Sequence, residues 1–389
     1  MYEKVIKLSA EGGRLRGFFL EKIKVAIPET LCKTIIGFSP EYPCDIPNVA
    51  MVSETRNDDG CFTEAPVSAK QAGVLHRYDI NMATIEILGV PHAYELTAPT
   101  SCPHALVFIH GWLNSRGYWQ PVISRLSVDL QCLSYDLRGF GESKSQPETD
   151  SSQAQTNFSL TSDSIDEFNL PFDSIYTPAV YAQDLAALLK QMNINSAWLI
   201  GHSLGGTIAL WAAAQMPECI KGVICINSGG GIYLKEAFEQ FRSAGQKFLQ
   251  VRPRWLSHIP LIDLLFTRAS VARPLDRHWA RQRVIDFIMA DPEAALGALL
   301  DSTTEEEINR LPQLVSQLQQ PVYFLAGTDD KVMEPKYVRH LASFHRLFQY
   351  TGDNVIEIPD CGHLAMLEQP DAVAAHIRSK VLSEESAEC

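Results

Sequence analysis

The chain has 389 residues, of which 46% are hydrophobic and 20% are charged, and this composition is typical of a globular protein that buries a sizeable core. Its formal net charge of -13 disfavours nonspecific binding to nucleic acid and gives acidic substrates no general electrostatic steering. The nine cysteines are scattered without a CxxC pair, so we expect reduced thiols and no zinc site.

The N-terminal part of the chain carries no chemical motif. The opening sequence MYEKVIKL has charges where a secretory signal needs an apolar stretch, so we expect a cytoplasmic protein. Residues 1–75 are interpreted as an N-terminal extension. Two segments, 76–230 and 319–389, are predicted to form one core domain, in which the polar, Ser-rich stretch 144–170 is a long exposed loop.

Eight short apolar or β-branched runs alternate with helical periods, a pattern typical of βαβ units. The runs lie at 83–88, 92–98, 105–110, 130–136, 196–200, 222–227, 322–327 and 355–359. They predict an α/β fold with a mostly parallel eight-stranded sheet, helices on both faces and an antiparallel first pair of strands. Thr177 is expected to cap a helix that has Pro178 at its first position.

A GxSxG motif follows the fifth run directly and precedes a helical pattern, in the sequence LIGHSLGG. A nucleophile held on such a sharp strand-to-helix turn needs Gly201 and Gly205, because Cβ atoms there would collide with neighbouring chain. Ser203 is therefore the predicted nucleophile. The positive end of the following helix faces the developing oxyanion, so the backbone N–H of Leu204 is one expected donor.

A second motif, HGW, follows the third run. The loop after this strand supplies the other oxyanion donor in such architectures, and the backbone N–H of Trp112 is the candidate. His110 is interpreted as structural. The Gly-rich turn DLRGFGES follows the fourth run, and Asp136 and Arg138 are expected to organise that turn.

The acid and the base of the site are expected at the ends of the last two strands. The order Ser, then Asp or Glu, then His excludes Asp136 as the acid, because Asp136 precedes Ser203. The seventh run ends in GTDD, where Asp330 fits the usual GxxD spacing from Gly327 and Asp329 is the alternative. The eighth ends in CGH, which places His363 beside the Ser203 turn. His363 is the predicted general base, and the aspartate is expected to fix the tautomer of its ring.

These motifs, in this order, resemble the α/β-hydrolase superfamily over about residues 80–383. The resemblance is strongest to its esterase, lipase and carbon–carbon-bond hydrolase branch. It implies a serine hydrolase that cleaves carboxylic esters of a fairly apolar small molecule through an acyl-enzyme, with no metal or organic cofactor. The alternatives are a carbon–carbon bond hydrolase or a related serine-triad lyase, and a non-catalytic binding protein that retains the fold.

The segment 231–318, between the sixth and seventh runs, is helical by pattern and is predicted to form a separate cap. In the superfamily such an insertion commonly shapes the substrate pocket. Its stretch 255–266 is strongly apolar, and seven arginines surround it: Arg252, Arg254, Arg268, Arg273, Arg277, Arg281 and Arg283. Either the apolar residues pack the cap onto the core with the arginines solvated, or the cap offers an acyl pocket or a peripheral membrane contact.

Overall fold

The computed structural model describes residues 81–144, 174–231, 235–250, 252–259, 261–351 and 354–388. The expected N-terminal extension at 1–75 lies outside the described residues. So does the predicted loop at 144–170 beyond Lys144.

In the described part of the chain, one sheet with strand order 1-2-4-3-5-6-7-8 organises the fold. Strand β1 pairs antiparallel with β2 and β2 with β4, whereas all other neighbours are parallel. The eight-stranded, mostly parallel sheet predicted from the sequence is confirmed. The strands are β1 Asn81–Ile87, β2 Val90–Leu96, β3 Ala105–Ile109, β4 Cys132–Tyr135, β5 Ala197–His202, β6 Ile220–Ile226, β7 Val322–Gly327 and β8 Val355–Ile358.

The first two strands form a tight hairpin. Leu88 and Gly89 connect them, and both have positive φ, at 50° and 79°. Two successive positive φ angles match the right-handed twist of the flanking strands. Strand β2 therefore begins at Val90, before the predicted start at residue 92.

Helices cover both faces of the sheet, and the alternation of side chains along β3 shows why. Val107 and Ile109 point into one buried cluster, together with residues of α2 and α3. Leu106 and Phe108 point into the other, with residues of α1 and α12. The helices are α1 Gln120–Leu126, α2 Pro178–Gln191, α3 Leu204–Gln215, α4 Lys235–Gln250, α5 Ile262–Arg268, α6 Arg277–Met289, α7 Pro292–Asp301, α8 Glu305–Gln317, α9 Pro335–Ala342, α10 Arg346–Thr351, α11 Ala365–Glu368 and α12 Pro370–Glu388.

Helix α2 begins as its sequence predicts. The side chain of Thr177 accepts a hydrogen bond from the backbone N–H of Val180, and Pro178 occupies the first turn. Within the described parts of the chain, no helix has the length and apolar character needed to cross a membrane.

Five described α-helices, α4 to α8, lie between β6 and β7, and we call the segment 231–318 that contains them the helical insertion. Two hydrogen bonds join α7 and its N-cap residue to loops of the core. The Asp291 N–H donates to the carbonyl of Gly139 at 2.8 Å, and Trp112 Nε1 donates to the carbonyl of Ala295 at 2.8 Å. The insertion thus sits over the carboxyl ends of the parallel strands, where sheets of this kind bind ligands.

Candidate active site

Ser203 lies on a strained turn between β5 and α3. Its φ of 51° and ψ of -117° are unusual for a residue with a side chain, and the surrounding structure must hold them. A Cβ on Gly205 would lie 2.2 Å from the carbonyl oxygen of Ile109, and a Cβ on Gly201 would lie 2.2 Å from that of Gly205. The two glycines are required because backbone fills the space that any side chain would need.

The structure brings Asp330 and His363 into contact. Asp330 follows β7 and His363 follows β8, and His363 Nδ1 lies 2.8 Å from Asp330 Oδ2. The other oxygen of Asp330 accepts the backbone N–H groups of Val332 and Met333 at 2.8 and 2.9 Å. This buried carboxylate is therefore fixed in place, and it holds the proton of the His363 ring on Nδ1.

Asp329 lies elsewhere. It is exposed, and its carboxylate accepts from the neighbouring Thr328 hydroxyl at 2.9 Å. Its backbone N–H donates to the carbonyl of Cys361 at 2.9 Å, which ties the loop after β7 to the loop after β8. Of the two aspartates considered from the sequence, only Asp330 contacts His363 in the described structure.

Ser203 and His363 line one cavity. Among the described residues, no hydrogen bond joins the Ser203 hydroxyl to the His363 ring, and contacts of this type often tighten only when substrate binds. The backbone N–H of His363 donates to the carbonyl of Ser270 at 2.8 Å. The insertion therefore helps to position the loop that carries His363.

Trp112 and Leu204, the two expected oxyanion donors, line the same cavity. Leu204 is the first residue of α3, so its N–H has no acceptor within the helix. The loop that carries Trp112 lies close to the Ser203 turn, because a Cβ on Gly111 would come within 2.7 Å of Nδ1 of His202, the residue before Ser203. Both residues thus lie on the wall that also carries Ser203, and their role as oxyanion donors stays a prediction.

His110 and Asp136 hold the loops behind the site together. The Leu137 N–H donates to His110 Nε2 at 3.0 Å, and burial lowers the pKa of His110, which favours the neutral ring that can accept this bond. Asp136 is fully buried and accepts the backbone N–H groups of Arg116 and Glu142 at 2.6 and 2.8 Å. Arg138 pairs with Asp184 of α2, with Nε 3.0 Å from the carboxylate.

Two residues with no catalytic role predicted from the sequence support His363. The ring of His202 is fully buried, and its Nε2 donates to the carbonyl of His363 at 2.7 Å. Burial, and then the neighbouring His363, lower the pKa of His202 well below its usual value, so it stays neutral. A polar residue inside the GxSxG motif was the available sequence signal.

Asn227 is the second such residue. It follows β6 with a positive φ of 48°, a conformation that asparagine tolerates better than most residues. Its amide donates to the carbonyl of Gly362 at 2.7 Å, and its oxygen accepts the N–H of Gly327 at 2.8 Å. Asn227 therefore joins the ends of β6 and β7 to the loop that carries His363.

The cavity has a volume of about 480 Å³ and extends from Ser203 under the helical insertion. Its larger side chains are mostly apolar and come from both the core and the insertion. They include Leu113, Phe241, Phe248, Phe266, Leu299 and Met333. The site can enclose a small molecule with apolar parts against the Ser203 turn.

Comparison with known proteins supports the same architecture. A family model described as alpha/beta hydrolase fold matches residues 104–370. A 2-succinyl-6-hydroxy-2,4-cyclohexadiene-1-carboxylate synthase from Serratia proteamaculans is 26% identical over 287 residues, which cover 70% of this chain and 91% of that protein. An uncharacterized hydrolase from Bacillus subtilis is 24% identical over 276 residues, 70% of this chain and 88% of its own.

Solved structures share the fold at low identity. A thermophilic esterase from Thermogutta terrifontis superposes with a TM-score of 0.57 at 20% identity, covering 78% of this chain and 98% of its own. An enol-lactonase from Burkholderia xenovorans superposes with a TM-score of 0.55 at 17% identity, covering 77% and 100%.

Proposed function

Since the chain belongs to the α/β-hydrolase family, we propose that it is a serine hydrolase that cleaves carboxylic esters through an acyl-enzyme intermediate. One observation carries this proposal. Ser203, on its strained turn, shares a cavity wall with a His363 ring that Asp330 holds at 2.8 Å. A nucleophile, a base and a group that orients the base are the minimum needed for acyl transfer.

The proposed mechanism uses these groups in two halves. His363 Nε2 takes the proton of Ser203 while Oγ attacks the ester carbonyl, and the N–H groups of Leu204 and Trp112 stabilise the oxyanion. The intermediate collapses as His363 returns the proton to the leaving alcohol. Water, activated by the same ring, then attacks the acyl-enzyme and releases the acid. Asp330 stabilises the imidazolium formed in each half.

A second function is favoured by one of the relatives. The Serratia proteamaculans relative is named as a synthase, so chains of this family serve reactions besides ester hydrolysis. The alternative proposal is therefore carbon–carbon bond cleavage or elimination with the same residues. Assays of vinylogous diketones and esters side by side distinguish the two proposed functions. A strong preference for the diketone would make carbon–carbon bond cleavage the better proposal.

The helical insertion is proposed to act as a cap that sets access to the cavity. Its outer surface exposes Trp255, Leu261 and Leu264, which are 59%, 56% and 47% accessible. The peripheral membrane contact considered from the sequence would use this surface.

Covalent labelling tests the main proposal. We expect a fluorophosphonate probe to label the wild-type protein at Ser203, and Ser203→Ala to abolish both labelling and turnover of nitrophenyl esters from acetate to octanoate. Turnover should rise with acyl length, because the cavity wall is largely apolar. A parallel series with lipid vesicles tests the membrane contact.

The matched control is Ser316→Ala, which removes a hydroxyl from an exposed site on α8. This variant should label and turn over ester like the wild type. Undiminished turnover in Ser203→Ala would contradict the proposal, and an intact protein that no serine-directed probe labels would favour a non-catalytic role.

A further inference from the structure

The cationic side chains that face the cavity stand out in a chain whose net charge is -13. Arg268, Arg283 and Lys331 belong to the cavity wall. Among the described residues that line the cavity, none is an aspartate or a glutamate. The wall around Ser203 therefore combines apolar surface with positive charge only, and this is the electrostatic setting that an anionic group requires.

Arg283 differs from the other two cations of the wall. Arg268 and Lys331 are exposed, whereas Arg283, on α6, is partly buried, and its Nε is inaccessible to solvent without a hydrogen-bond partner. The side chain packs on Phe266, with its guanidinium carbon 5.7 Å from the ring centre. A guanidinium in such surroundings is weakly solvated, so its interaction with an anion is strong.

Most of the N–H donors of Arg283 have no hydrogen-bond acceptor within the described protein. Within the described chain its one hydrogen bond runs from Nη2 to the hydroxyl of Ser270 at 3.2 Å, and no ion pair joins it to a carboxylate. Arg116 and Arg138, by contrast, are paired with buried carboxylates. Arg116 has its Nη1 2.5 Å from Asp136, and Arg138 has its Nε 3.0 Å from Asp184.

Electrostatics agree with this geometry. Burial lowers the pKa of Arg283, and the neighbouring Tyr118, Asp286 and Glu368 offset that effect only in part. Arginine remains protonated in proteins, so the consequence is an incompletely compensated cation at the cavity wall. Ser270, its single partner, also accepts the backbone N–H of His363, which places this cation near the reacting groups.

We propose that Arg283 is a substrate-binding residue, and that the substrate is an ester whose apolar body also carries a carboxylate. This inference rests on the proposed ester hydrolysis and adds its substrate class. The guanidinium has five N–H donors in a planar fork that can bind a carboxylate through two parallel bonds. The phenylalanines of the same wall contact the apolar part.

The test compares esters that differ only in charge. The acyl-side pair is the mono-nitrophenyl ester of adipic acid and its methyl ester, and the alcohol-side pair is 4-acetoxybenzoate and its methyl ester. We expect wild-type kcat/KM to favour the anion of at least one pair by about 10- to 100-fold, the range for a charged hydrogen bond. The preferred pair identifies the half of the substrate that Arg283 contacts.

Three variants test whether Arg283 causes the preference for the anionic ester. Arg283→Met keeps the length and the packing on Phe266 and should remove the preference by lowering kcat/KM for the anion alone. Arg283→Lys keeps the charge without the fork and should restore part of it. Arg281→Met removes an exposed charge from the same helix and should leave both esters unchanged.

The outcomes are distinguishable from failure of the proposed function. Equal rates for both members of each pair, or equal losses for both in Arg283→Met, would overturn the assignment while ester hydrolysis stands. Fluorophosphonate labelling of each variant shows whether Ser203 remains reactive. If the wild type neither labels nor turns over any ester, the proposed function fails, and the inference fails with it.

Discussion

Asp329 and Asp330 are adjacent in sequence but lie in opposite environments. Asp330 is 3% exposed and contacts His363, whereas the Asp329 carboxylate faces solvent beside Thr328. We expect Asp330→Asn to lower kcat by about 10³- to 10⁴-fold, because an amide cannot hold the proton on Nδ1 or stabilise the imidazolium. Asp329→Asn is the matched control and should leave kcat nearly unchanged.

Steady-state kinetics with a nitrophenyl ester measures both variants, and thermal unfolding shows whether each folds. If Asp329→Asn causes the larger loss in a folded protein, the assignment of the acid is wrong. The comparison is sharp because the two substitutions are chemically identical and occupy neighbouring positions.

At the scale of elements, the alignment of strand ends decides the geometry of the site. Asn227 hydrogen-bonds the N–H at the end of β7 and the carbonyl of Gly362, directly before His363. We expect Asn227→Ala to lower kcat by up to about 10²-fold, since small displacements of catalytic groups have effects of this size. It should also lower the free energy of unfolding by about 2–3 kcal/mol, because two buried polar groups lose their partners.

The matched variant is Asn227→Asp, which retains the oxygen for the Gly327 N–H and tolerates positive φ. It replaces the donor to Gly362 with a carboxylate oxygen that repels the buried Gly362 carbonyl, so a kcat no higher than that of Asn227→Ala is expected. Chemical denaturation and ester kinetics measure both properties. A destabilised Asn227→Ala variant with unchanged kcat would limit the residue to a structural role.

The same elements show what sequence patterns predict and what they cannot. The sheet was predictable because each buried parallel strand is one continuous apolar run, and the Ser203 turn because only glycine fits on either side of it. The contact between His202 and His363 joins residues 161 positions apart, and that between Asn227 and Gly362 spans 135. No local periodicity encodes such pairs.

The insertion arginines illustrate the same limit. From the sequence, solvation outside the cap and contact with lipid were the alternatives for these arginines. The structure instead places Arg283 on the cavity wall and lets Arg252 donate to the carbonyl of Ala290 at 3.0 Å. Which side of a cap faces the core depends on how its helices pack, and that packing is set by contacts across the whole chain.

For the whole molecule, the join between the insertion and the core surrounds the cavity. Trp112 contacts α7, Asp291 contacts Gly139, and His363 contacts Ser270. A fourth contact is titratable. The Asp286 carboxylate of α6 accepts from the Ser115 hydroxyl of the core at 3.1 Å and from Gln282 at 2.8 Å. Changes in pH should therefore affect how strongly the insertion is held.

The raised pKa of Asp286 determines whether stability rises or falls with pH. Burial raises the pKa of Asp286 from 3.8 to about 6, so the folded protein holds this proton more tightly than the unfolded chain. Ionisation then disfavours the folded state, and the free energy of unfolding should fall as pH rises from about 4 through 6. Asp286→Asn removes the titration while keeping an oxygen for Gln282, so the variant should gain about 2–3 kcal/mol over wild type between pH 4 and pH 8. Urea unfolding at both pH values measures the difference, and a gain that does not change with pH would show that Asp286 does not ionise across this range.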